Sequence, residues 1–274
     1  MEKDKQLLIT GSSGRIGSHL MVQLVEAGYD VWIPNRQLLD LTSMDSTNEF
    51  FAEHGPFDVI VHCAAVGCAD VSDPDETILR DNTRMMENIL SNKSSWTQLI
   101  NLGSGAEFDT RQSIDEFREL EVWNCHPDTP YGRSKNYINR RLRFFDIENP
   151  DKRITNLRIF AIVDDQQRLF KRLACCKSIP ETMHISSDRY FDYFGLDDLG
   201  TVIQHLIETD TPPIDINAVY AKKYLISEVA SMYAGVEIVI DSTGTNNYTG
   251  NSDILNSLNL PLLGLEASVR KLYE

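Results

Sequence analysis

A tyrosine and a lysine four residues apart are the first candidates for chemistry, in the segment PYGRSK at residues 130–135. On an α-helix, residues i and i+4 lie on one face, so the Tyr131 phenol and the Lys135 ammonium would stand side by side. A neighbouring positive charge favours the phenolate form that an acid–base tyrosine needs near neutral pH. The same spacing occurs on ordinary exposed helices, so the pair alone leaves both interpretations open.

A glycine-rich segment, TGSSGRIG at residues 10–17, gives such a pair a cofactor to serve. It lies between an apolar run and a helical pattern, where Gly11 permits a tight turn and Gly14 lets a pyrophosphate approach the backbone. Gly17 would allow close packing of the helix. The helix N-terminus then offers free N–H groups and a positive dipole end to the phosphates. A turn that merely needs small residues is the less favoured alternative.

The elements that must position these residues alternate along the chain between short apolar runs and helical patterns. Strands are predicted at 6–10, 30–34, 58–65, 97–104 and 154–163, and helices at 15–28, 43–55, within 76–91 and from 130. This alternation predicts an α/β fold with a Rossmann-type doubly wound parallel sheet over residues 1–164. Residues 165–274 are predicted to form a smaller, mixed lobe that binds substrate, with strands at the boundary shared by either side.

Composition narrows the class of partner. The 26 basic and 41 acidic residues give a net charge of −15, which argues against a nucleic-acid or anionic-membrane surface. The five cysteines include no CxxC pair and indicate reduced, mostly structural thiols in a cytoplasmic protein. The six histidines lack metal-ligand spacing, so no metal is expected. Neither a signal peptide nor an apolar run of membrane-spanning length, about 20 residues, is predicted.

Three further segments resemble one family. DVIVHCAA at 58–65, LINLGSGAEFD at 99–109 and YFDYFGLDDLGTVI at 190–203 resemble, in that order, motifs of the extended short-chain dehydrogenase/reductases. The GxxGxxG spacing and the Tyr-x-x-x-Lys pair belong to the same superfamily. The resemblance covers nearly the whole chain and implies an NAD(P)-dependent oxidoreductase, expected to be a homodimer, that acts on a nucleotide-linked sugar.

The resemblance implies a catalytic role for Ser104, Tyr131 and Lys135. Ser104 is the serine four residues before Phe108, which stands where the family has a tyrosine. Ser104 would polarise a carbonyl oxygen, and Tyr131 would be the general acid with Lys135 as its charged neighbour. The expected cofactor-binding residues are Gly11, Ser12, Ser13, Gly14, Arg15, Ile16, Gly17, Asn35, Arg36, Asp40, Leu41, Cys63, Ala64, Ala65, Asn82, Tyr131 and Lys135.

The end of the second predicted strand bears on the choice between NAD and NADP. Asn35 and Arg36 stand where an NAD site has an acidic residue for the adenosine ribose. An arginine pairs with a 2′-phosphate and stacks on adenine, so NADP is favoured, with Arg15 as a second cation and NAD as the alternative. Asp40 resembles the family's adenine-contacting residue. A solvated arginine at a strand end remains the other interpretation of Arg36.

Departures from the family pattern select among its reactions. Gly105 and Ala106 follow Ser104 where dehydratases carry an acidic pair, so dehydration is not expected. The segment 29–109 is most similar to GDP-fucose synthases and related 4-keto-6-deoxy sugar reductases. Ala106 and Gln166 occupy the positions of the cysteine and histidine with which those synthases epimerise. NADPH-dependent reduction at C4 without epimerisation is therefore the leading hypothesis.

Two alternatives stay open: a nucleotide-sugar 4-epimerase with tightly bound NAD, and a non-catalytic NADP-binding regulatory protein. The substrate is the least determined part, because Asp164 and Asp165 interrupt a family turn and Phe191 replaces an arginine that clamps the diphosphate. The candidate substrate-binding residues are Gly105, Ala106, Phe160, Lys171, Arg172 and Arg189.

Overall fold

The computed structural model describes residues 3–67, 75–178, 182–233, 236–244 and 246–273. Cys68, one of the thiols predicted to be structural, lies outside these ranges. By their internal contacts the residues form two units, and each is described by itself. Unit 1 comprises 1–109, 122–158 and 203–216, and unit 2 comprises 110–121, 159–202 and 217–274. The units interleave along the sequence, and the assignment of 165–274 to substrate binding stays a prediction.

The strands of the described residues, in chain order, are short apart from those of the main sheet. They are β1 Lys3–Thr10, β2 Tyr29–Trp32, β3 Phe57–His62, β4 Trp96–Ser104, β5 Ile114–Phe117, β6 Arg153–Ile159, β7 Ile162–Val163, β8 Met183–Ile185, β9 Phe194–Gly195, β10 Asp215–Ala218, β11 Ile238–Ile240 and β12 Tyr248–Gly250. The helices are α1 Arg15–Glu26, α2 Met44–His54, α3 Thr77–Ser91, α4 Pro130–Glu148, α5 Arg168–Ser178, α6 Leu196–Glu208, α7 Ile226–Ser231, α8 Asp253–Ser257 and α9 Leu265–Lys271.

Unit 1 is built on a six-stranded sheet in the order β10-β6-β4-β3-β1-β2. β1 pairs in parallel with β2 on one side and β3 on the other, and β3 pairs in parallel with β4. The chain therefore turns to opposite sides after β1, which makes the carboxyl ends of β1 and β3 a topological switch point where such folds bind ligands. The predicted α/β doubly wound sheet is confirmed.

Local sequence explains where the helices of unit 1 begin. Ser43 Oγ accepts a hydrogen bond from Ser46 N at the start of α2, and Thr129 Oγ1 accepts one from Gly132 N at the start of α4. Pro130, with its fixed φ and no N–H, occupies the first turn of α4. One face of the sheet packs on α2, α3 and α4 in a cluster of Leu8, Phe50, Phe51, Phe57, Ile60, Met85, Met86, Ile89, Leu90, Trp96, Leu99, Ile138, Leu142, Phe145 and Ile154, with Leu39 and Leu41.

Unit 2 contains three two-stranded parallel pairings, β5 with β12, β7 with β9 and β8 with β11. Its core is formed by side chains of α5, α7, α9 and the short strands, among them Phe170, Leu173, Met183, Tyr193 and Val269. The mixed character predicted for this part of the chain agrees with these elements. Among the described residues, no helix combines the length and the apolar character needed to span a membrane.

Candidate active site

The turn between β1 and α1 requires glycine at two of its three glycine positions. Gly11 has φ +68°, and a Cβ there would lie 2.6 Å from Ala64 N. A Cβ on Gly17 would lie 2.3 Å from Gly11 O, so α1 can start this close to the turn only without a side chain. A Cβ on Gly14 would meet only Gly11 O, at 3.2 Å, which leaves the outer side of Gly14 open. These are the roles that the sequence predicts for the three glycines.

The N-terminus of α1 suits an anion. Gly14 is the N-cap residue, no side chain caps the helix, and the first turn contains no acidic residue. Ser13, Gly14 and Arg15 are exposed, and Ser12 and Ile16 are partly exposed. Backbone N–H groups and the helix dipole therefore face outward at this end, as a bound pyrophosphate requires. This loop fits the phosphates of a dinucleotide.

The end of β3 lies directly beside this turn. Cys63 N donates to Thr10 O at 3.2 Å, and the buried Thr10 Oγ1 and His62 Nδ1 are 2.8 Å apart. Burial, and then the nearby Lys135 charge, lowers the pKa of His62 to about 3, so the ring is neutral at physiological pH. Desolvation raises the pKa of the Cys63 thiol to about 12. Ala64 is partly buried and Ala65 is exposed.

Asn82, on α3, holds the loop that follows β3. Its Oδ1 accepts from Val66 N at 2.7 Å, and its Nδ2 donates to Val66 O at 2.9 Å and to Ser134 Oγ at 3.1 Å. Ser134 Oγ in turn donates to Tyr131 O at 2.7 Å. The side chain predicted to contact the cofactor therefore links the loop after β3 to the first turn of α4.

The predicted ribose corner follows β2 and is exposed. Asn35 Oδ1 accepts from Gln37 N and Leu38 N, both at 3.0 Å, which stabilises a turn. The Arg36 side chain is 77% exposed, and its Nε lies 3.7 Å from Asp40 Oδ1. Hydrogen bonds from Thr42 lower the pKa of the Asp40 carboxyl, with a smaller contribution from Arg36. Arg36 and Asp40 are thus close together. Beside them in sequence, the Leu41 side chain is buried in the core.

Tyr131 and Lys135 lie in the first turns of α4. The Lys135 Nζ is 5.8 Å from the centroid of the Tyr131 ring and donates to Leu102 O at 2.8 Å. Tyr131 is partly exposed, whereas Lys135 is 5% exposed. Burial lowers the pKa of the Lys135 ammonium to about 8, and the charges of Glu107 and Cys63 oppose that shift. The structure therefore pairs the phenol with a buried amine whose charge is held by the end of β4.

Ser104 is the last residue of β4, two residues after the carbonyl that holds Lys135. It is 5% exposed and caps the 3-10 helix Gly105–Glu107, because its Oγ accepts from Ala106 N at 3.2 Å. A Cβ on Gly132 would lie 2.8 Å from Ala106 O, so the first turn of α4 approaches this short helix closely. The Ser104 and Tyr131 segments are thereby brought together. Gly105 and Ala106 are buried.

The remaining substrate candidates belong to unit 2. Phe160 is buried against Tyr248, with ring centroids 5.0 Å apart, and is a core residue there. Lys171 and Arg172 are exposed on α5, where Arg172 donates to His184 O at 3.0 Å. These contacts describe packing and a surface bond.

Arg189, in the same unit, is partly buried. Its guanidinium lies 5.7 Å from the centroid of the Phe191 ring. Within the part of the chain that the structure describes, its buried Nε makes no hydrogen bond.

Sequence reasoning missed the residues that hold the catalytic ones: Thr10, Ser134, Asn136 and Glu107. Ser134 and Asn136 flank Lys135, so their position beside the Tyr-x-x-x-Lys pair was a usable signal. Glu107 is a charged residue inside an otherwise apolar or small segment, which is also unusual for a buried strand end. For the residues with described positions, no cluster of three His, Cys, Asp or Glu side chains could hold a metal ion.

Comparison with known sequences gives the family. Residues 7–167 match the sequence profile described as "NAD dependent epimerase/dehydratase family". A GDP-L-fucose synthase of Azorhizobium caulinodans is 34% identical over 113 residues, which are 39% of this chain and 36% of that protein. A UDP-glucose 4-epimerase of Yersinia pestis is 26% identical over 179 residues, 56% of this chain and 52% of that protein. The matches thus span about half or less of the length of these curated relatives.

Solved structures agree on the fold. The GDP-mannoheptose C4 reductase MlghC of Campylobacter jejuni, solved with NADP bound, superposes with a TM-score of 0.80. The comparison covers 100% of this chain and 98% of that chain at 18% sequence identity, which establishes a shared fold alone. The resemblance found in the sequence is confirmed at the level of the family.

Proposed function

Because the chain belongs to the NAD dependent epimerase/dehydratase family, we propose that it is an NADPH-dependent reductase of a nucleotide-linked 4-keto-6-deoxy sugar. The observation that carries the proposal is the position of Lys135, whose ammonium is buried beside the Tyr131 ring and bonded to Leu102 O, two residues before Ser104. A buried ammonium next to a phenol is costly unless it serves a purpose, because burial disfavours the charged form. Tuning an acid–base tyrosine is such a purpose.

The residues of unit 1 have distinct roles in this reaction. A bound NADPH supplies the hydride for C4 of the sugar. Tyr131 donates a proton to the C4 oxygen, and the Lys135 charge stabilises the phenolate that remains. Ser104 Oγ accepts from Ala106 N, which leaves its own O–H to hydrogen-bond the carbonyl oxygen. The glycine turn and the N-terminus of α1 hold the pyrophosphate.

NADP is the proposed cofactor because of the ribose corner. Arg36 has its nearest charged partner, Asp40, at 3.7 Å and is mostly exposed, so its guanidinium can turn to a 2′-phosphate at little cost. Arg15, exposed in the glycine turn, is the proposed second cation. Asn35 contributes by stabilising the turn that carries Arg36.

The nucleotide-sugar diphosphate requires a cation, and Arg189 is our first choice. Its Nε has no hydrogen-bond partner in the described structure, whereas Arg172 already donates to His184 O. Lys171 is the next candidate. The assignment is tested by Arg189→Gln, which should raise the KM for the sugar nucleotide while the Kd for NADPH stays unchanged. A KM equal to that of the wild type would remove Arg189 from the site.

The experiment for the proposed function is a screen of 4-keto sugars. GDP-, dTDP-, UDP- and CDP-sugars are each treated with a 4,6-dehydratase and offered with NADPH, and oxidation is followed at the nicotinamide absorbance. We expect one nucleotide series to be reduced to a 4-hydroxy product with Tyr131-dependent turnover. Failure of all series, with NADPH bound, would reject the reductase assignment.

A 4-epimerase is the second candidate, favoured by the match to a UDP-glucose 4-epimerase over 56% of this chain. Such an enzyme retains NAD through the reaction. Cofactor released from freshly purified protein by denaturation separates the two: stoichiometric NAD supports the epimerase, and absent or exchangeable NADP supports the reductase. A protein that binds NADP but has no turnover in either assay would be the regulatory alternative.

We also propose that the protein works as a cytoplasmic homodimer. The cysteine content and the negative charge support a reducing compartment and a soluble surface. Light scattering on the eluted protein should give twice the chain mass of 31.1 kDa. A monomer mass at micromolar concentration would reject the dimer.

A further inference from the structure

The segment that carries Ser104 is held by a buried carboxylate three residues further along the chain. Glu107 has no exposed surface, and its Oε1 accepts a hydrogen bond from Ser104 N at 2.9 Å. The same short helix is capped in the opposite sense by Ser104 Oγ. The backbone of the proposed carbonyl-polarising residue is therefore fixed by the side chain of Glu107.

The main-chain carbonyl of Glu107 makes a second connection, to α4. Asn136 Nδ2 donates to Glu107 O at 2.8 Å and also lies 3.2 Å from Val122 O. Asn136 directly follows Lys135 and is buried. One residue thus bonds both the end of β4 with Ser104 and the helix with Tyr131 and Lys135.

A buried ion cluster fixes the Glu107 carboxylate itself. Arg158 donates to Glu107 Oε2 from Nε at 2.9 Å and to Asp215 Oδ2 at 2.8 Å, and all three side chains are at most 1% exposed. Asn156 Nδ2 donates to both carboxylates, and Arg143 pairs with Asp215 at 2.7 Å. Two carboxylates and two guanidinium groups balance, and every hydrogen bond named to Glu107 comes from a donor. Glu107 is therefore held on two sides.

Gly103 makes room for this arrangement. A Cβ at Gly103 would lie 2.4 Å from Glu107 Oε1 and 2.7 Å from Asn156 Nδ2. Both atoms belong to side chains fixed in the cluster, so they cannot give way cheaply. The glycine before Ser104 is explained by the carboxylate that must approach the backbone there.

We propose that Glu107 is a positioning residue that holds Ser104 in register with the Tyr131–Lys135 turn of α4. The roles of those three residues rest on the proposed function, but the coupling of their segments does not.

The Glu107 charge supports the coupling. The titratable groups that face Lys135 are Glu107 and, from the end of β3, His62 and Cys63, with Tyr131 on its own helix. Of these, Glu107 is the main group that opposes the lowering of the Lys135 pKa by burial.

The test compares Glu107→Gln with Asp215→Asn. Glu107→Gln keeps the size and an acceptor oxygen for Ser104 N but removes the charge next to Lys135. Asp215→Asn removes a carboxylate from the same cluster whose oxygens bond Arg158, Arg143, Asn139 and Asn156 instead. Gly103→Ala is a third variant, which displaces the Glu107 carboxylate by steric overlap and leaves its charge.

Three measurements are made on each variant. The pKa of Lys135 is measured by NMR of protein labelled at lysine Cε, with Lys135→Arg to assign the signal. Amide exchange of Ser104 is compared with the exchange of core amides. The kcat and KM are measured on the 4-keto sugar found in the screen, and the Kd for NADPH by fluorescence.

We expect Glu107→Gln to lower the Lys135 pKa by on the order of one pH unit. It should reduce kcat about tenfold or more with the NADPH Kd within about twofold, because small misplacements of reacting groups are costly. Gly103→Ala should speed Ser104 exchange and reduce kcat. Asp215→Asn should leave the Lys135 pKa close to that of the wild type.

Two outcomes would overturn the inference: a Glu107→Gln protein with unchanged Lys135 pKa and Ser104 exchange, or an Asp215→Asn protein with the same losses. If Glu107→Gln does not fold, Glu107→Gln with Arg158→Gln removes the pair together and is judged by the same criteria. If the wild type reduces no 4-keto sugar, the proposed function fails, while the NMR and exchange measurements still decide the coupling.

Discussion

The catalytic corner and the ribose corner of unit 1 are built in opposite ways. At the end of β4, Lys135 is 5% exposed, and its ammonium is bonded to a main-chain carbonyl. After β2, the Arg36 side chain is 77% exposed, and its carboxylate neighbour is 3.7 Å away. One corner has its hydrogen bonds arranged within the protein, and the other presents a charge to solvent.

The difference follows from what each corner has to do. A proton donor needs a fixed geometry and a tuned charge before the substrate arrives, and electrostatic effects are strong only where water is excluded. A cation that selects a phosphate acts only on binding, and until then a surface ion pair contributes little. Changes in the catalytic corner should therefore alter turnover, and changes in the ribose corner should alter cofactor choice.

The largest effect is expected from Tyr131→Phe. The change removes one hydroxyl and little volume, so the fold and NADPH binding should persist. Turnover of the 4-keto sugar should fall by roughly 10²–10⁴-fold, as expected for a lost general acid. The measurement is kcat at saturating NADPH.

Tyr137→Phe is the matched control on the same helix. Tyr137 is 44% exposed and bonds Glu87 at 2.9 Å, away from Lys135. Its loss should leave kcat unchanged. Near-normal turnover in Tyr131→Phe, or an equal loss in both variants, would contradict the mechanism.

Lys135→Met should change activity in a different manner. We expect lower turnover and weaker NADPH binding, because the family resemblance also gives the ammonium a contact with the nicotinamide ribose. The pH midpoint of the remaining activity should rise, since a phenol loses its neighbouring positive charge. A pH–rate profile with an unchanged midpoint would show that Lys135 does not tune Tyr131.

The same variant should alter how stability depends on pH. The pKa of Lys135 is lowered from 10.5 to about 8 in the folded protein, so the native state loses this proton first as pH rises. Wild type should therefore gain free energy of unfolding relative to Lys135→Met between pH 8 and 10.5, by about 3 kcal/mol. Urea unfolding of both proteins across this range measures the difference, with Lys152→Met as the control. A constant difference would mean that the buried amine is not strained.

Much of the catalytic corner could be predicted because its signals are local. The glycines at 11, 14 and 17 and the Tyr131–Lys135 pair announce themselves by spacing, and Pro130 after Thr129 indicates where α4 begins. The helices predicted from residues 166, 189 and 224 onwards are present as α5, α6 and α7. Periodicity over one element is enough for such predictions.

What the sequence could not show depends on distant residues. Glu107 acquires its partners from β6 and β10, far along the chain, and no local pattern joins it to Arg158 or Asp215. The strands of unit 2 are two to four residues long, too short for an alternating pattern to be recognised. The interleaving of the two units is likewise set by tertiary contacts.

A smaller effect is expected from Arg36→Ala. It should weaken NADPH binding about tenfold and NADH binding hardly at all, because a charge-assisted bond to the 2′-phosphate is partly screened by solvent at this exposed position. The two Kd values are measured by fluorescence titration at low and high salt, and the NADPH effect should shrink with salt. Equal losses for both cofactors would remove the basis for choosing NADP, and the ribose corner would then have no selective role.

The smallest expected effect is an absence, and it tests whether the catalytic corner does one reaction or two. Epimerisation at C3 or C5 needs a proton acceptor and a donor beside the sugar, and Ala106 and Gln166 stand at the positions aligned with that pair. Ala106 is buried with no titratable group, and Gln166 is an exposed amide whose backbone N–H bonds Asp164. Turnover in deuterated water should therefore leave the C3 and C5 hydrogens of the product unexchanged by NMR. The 4-keto sugar incubated in the same buffer without enzyme corrects for spontaneous exchange. Enzyme-dependent deuterium at either carbon would mean that another acid–base pair reaches the ring, so the catalytic corner would then extend beyond Ser104, Tyr131 and Lys135.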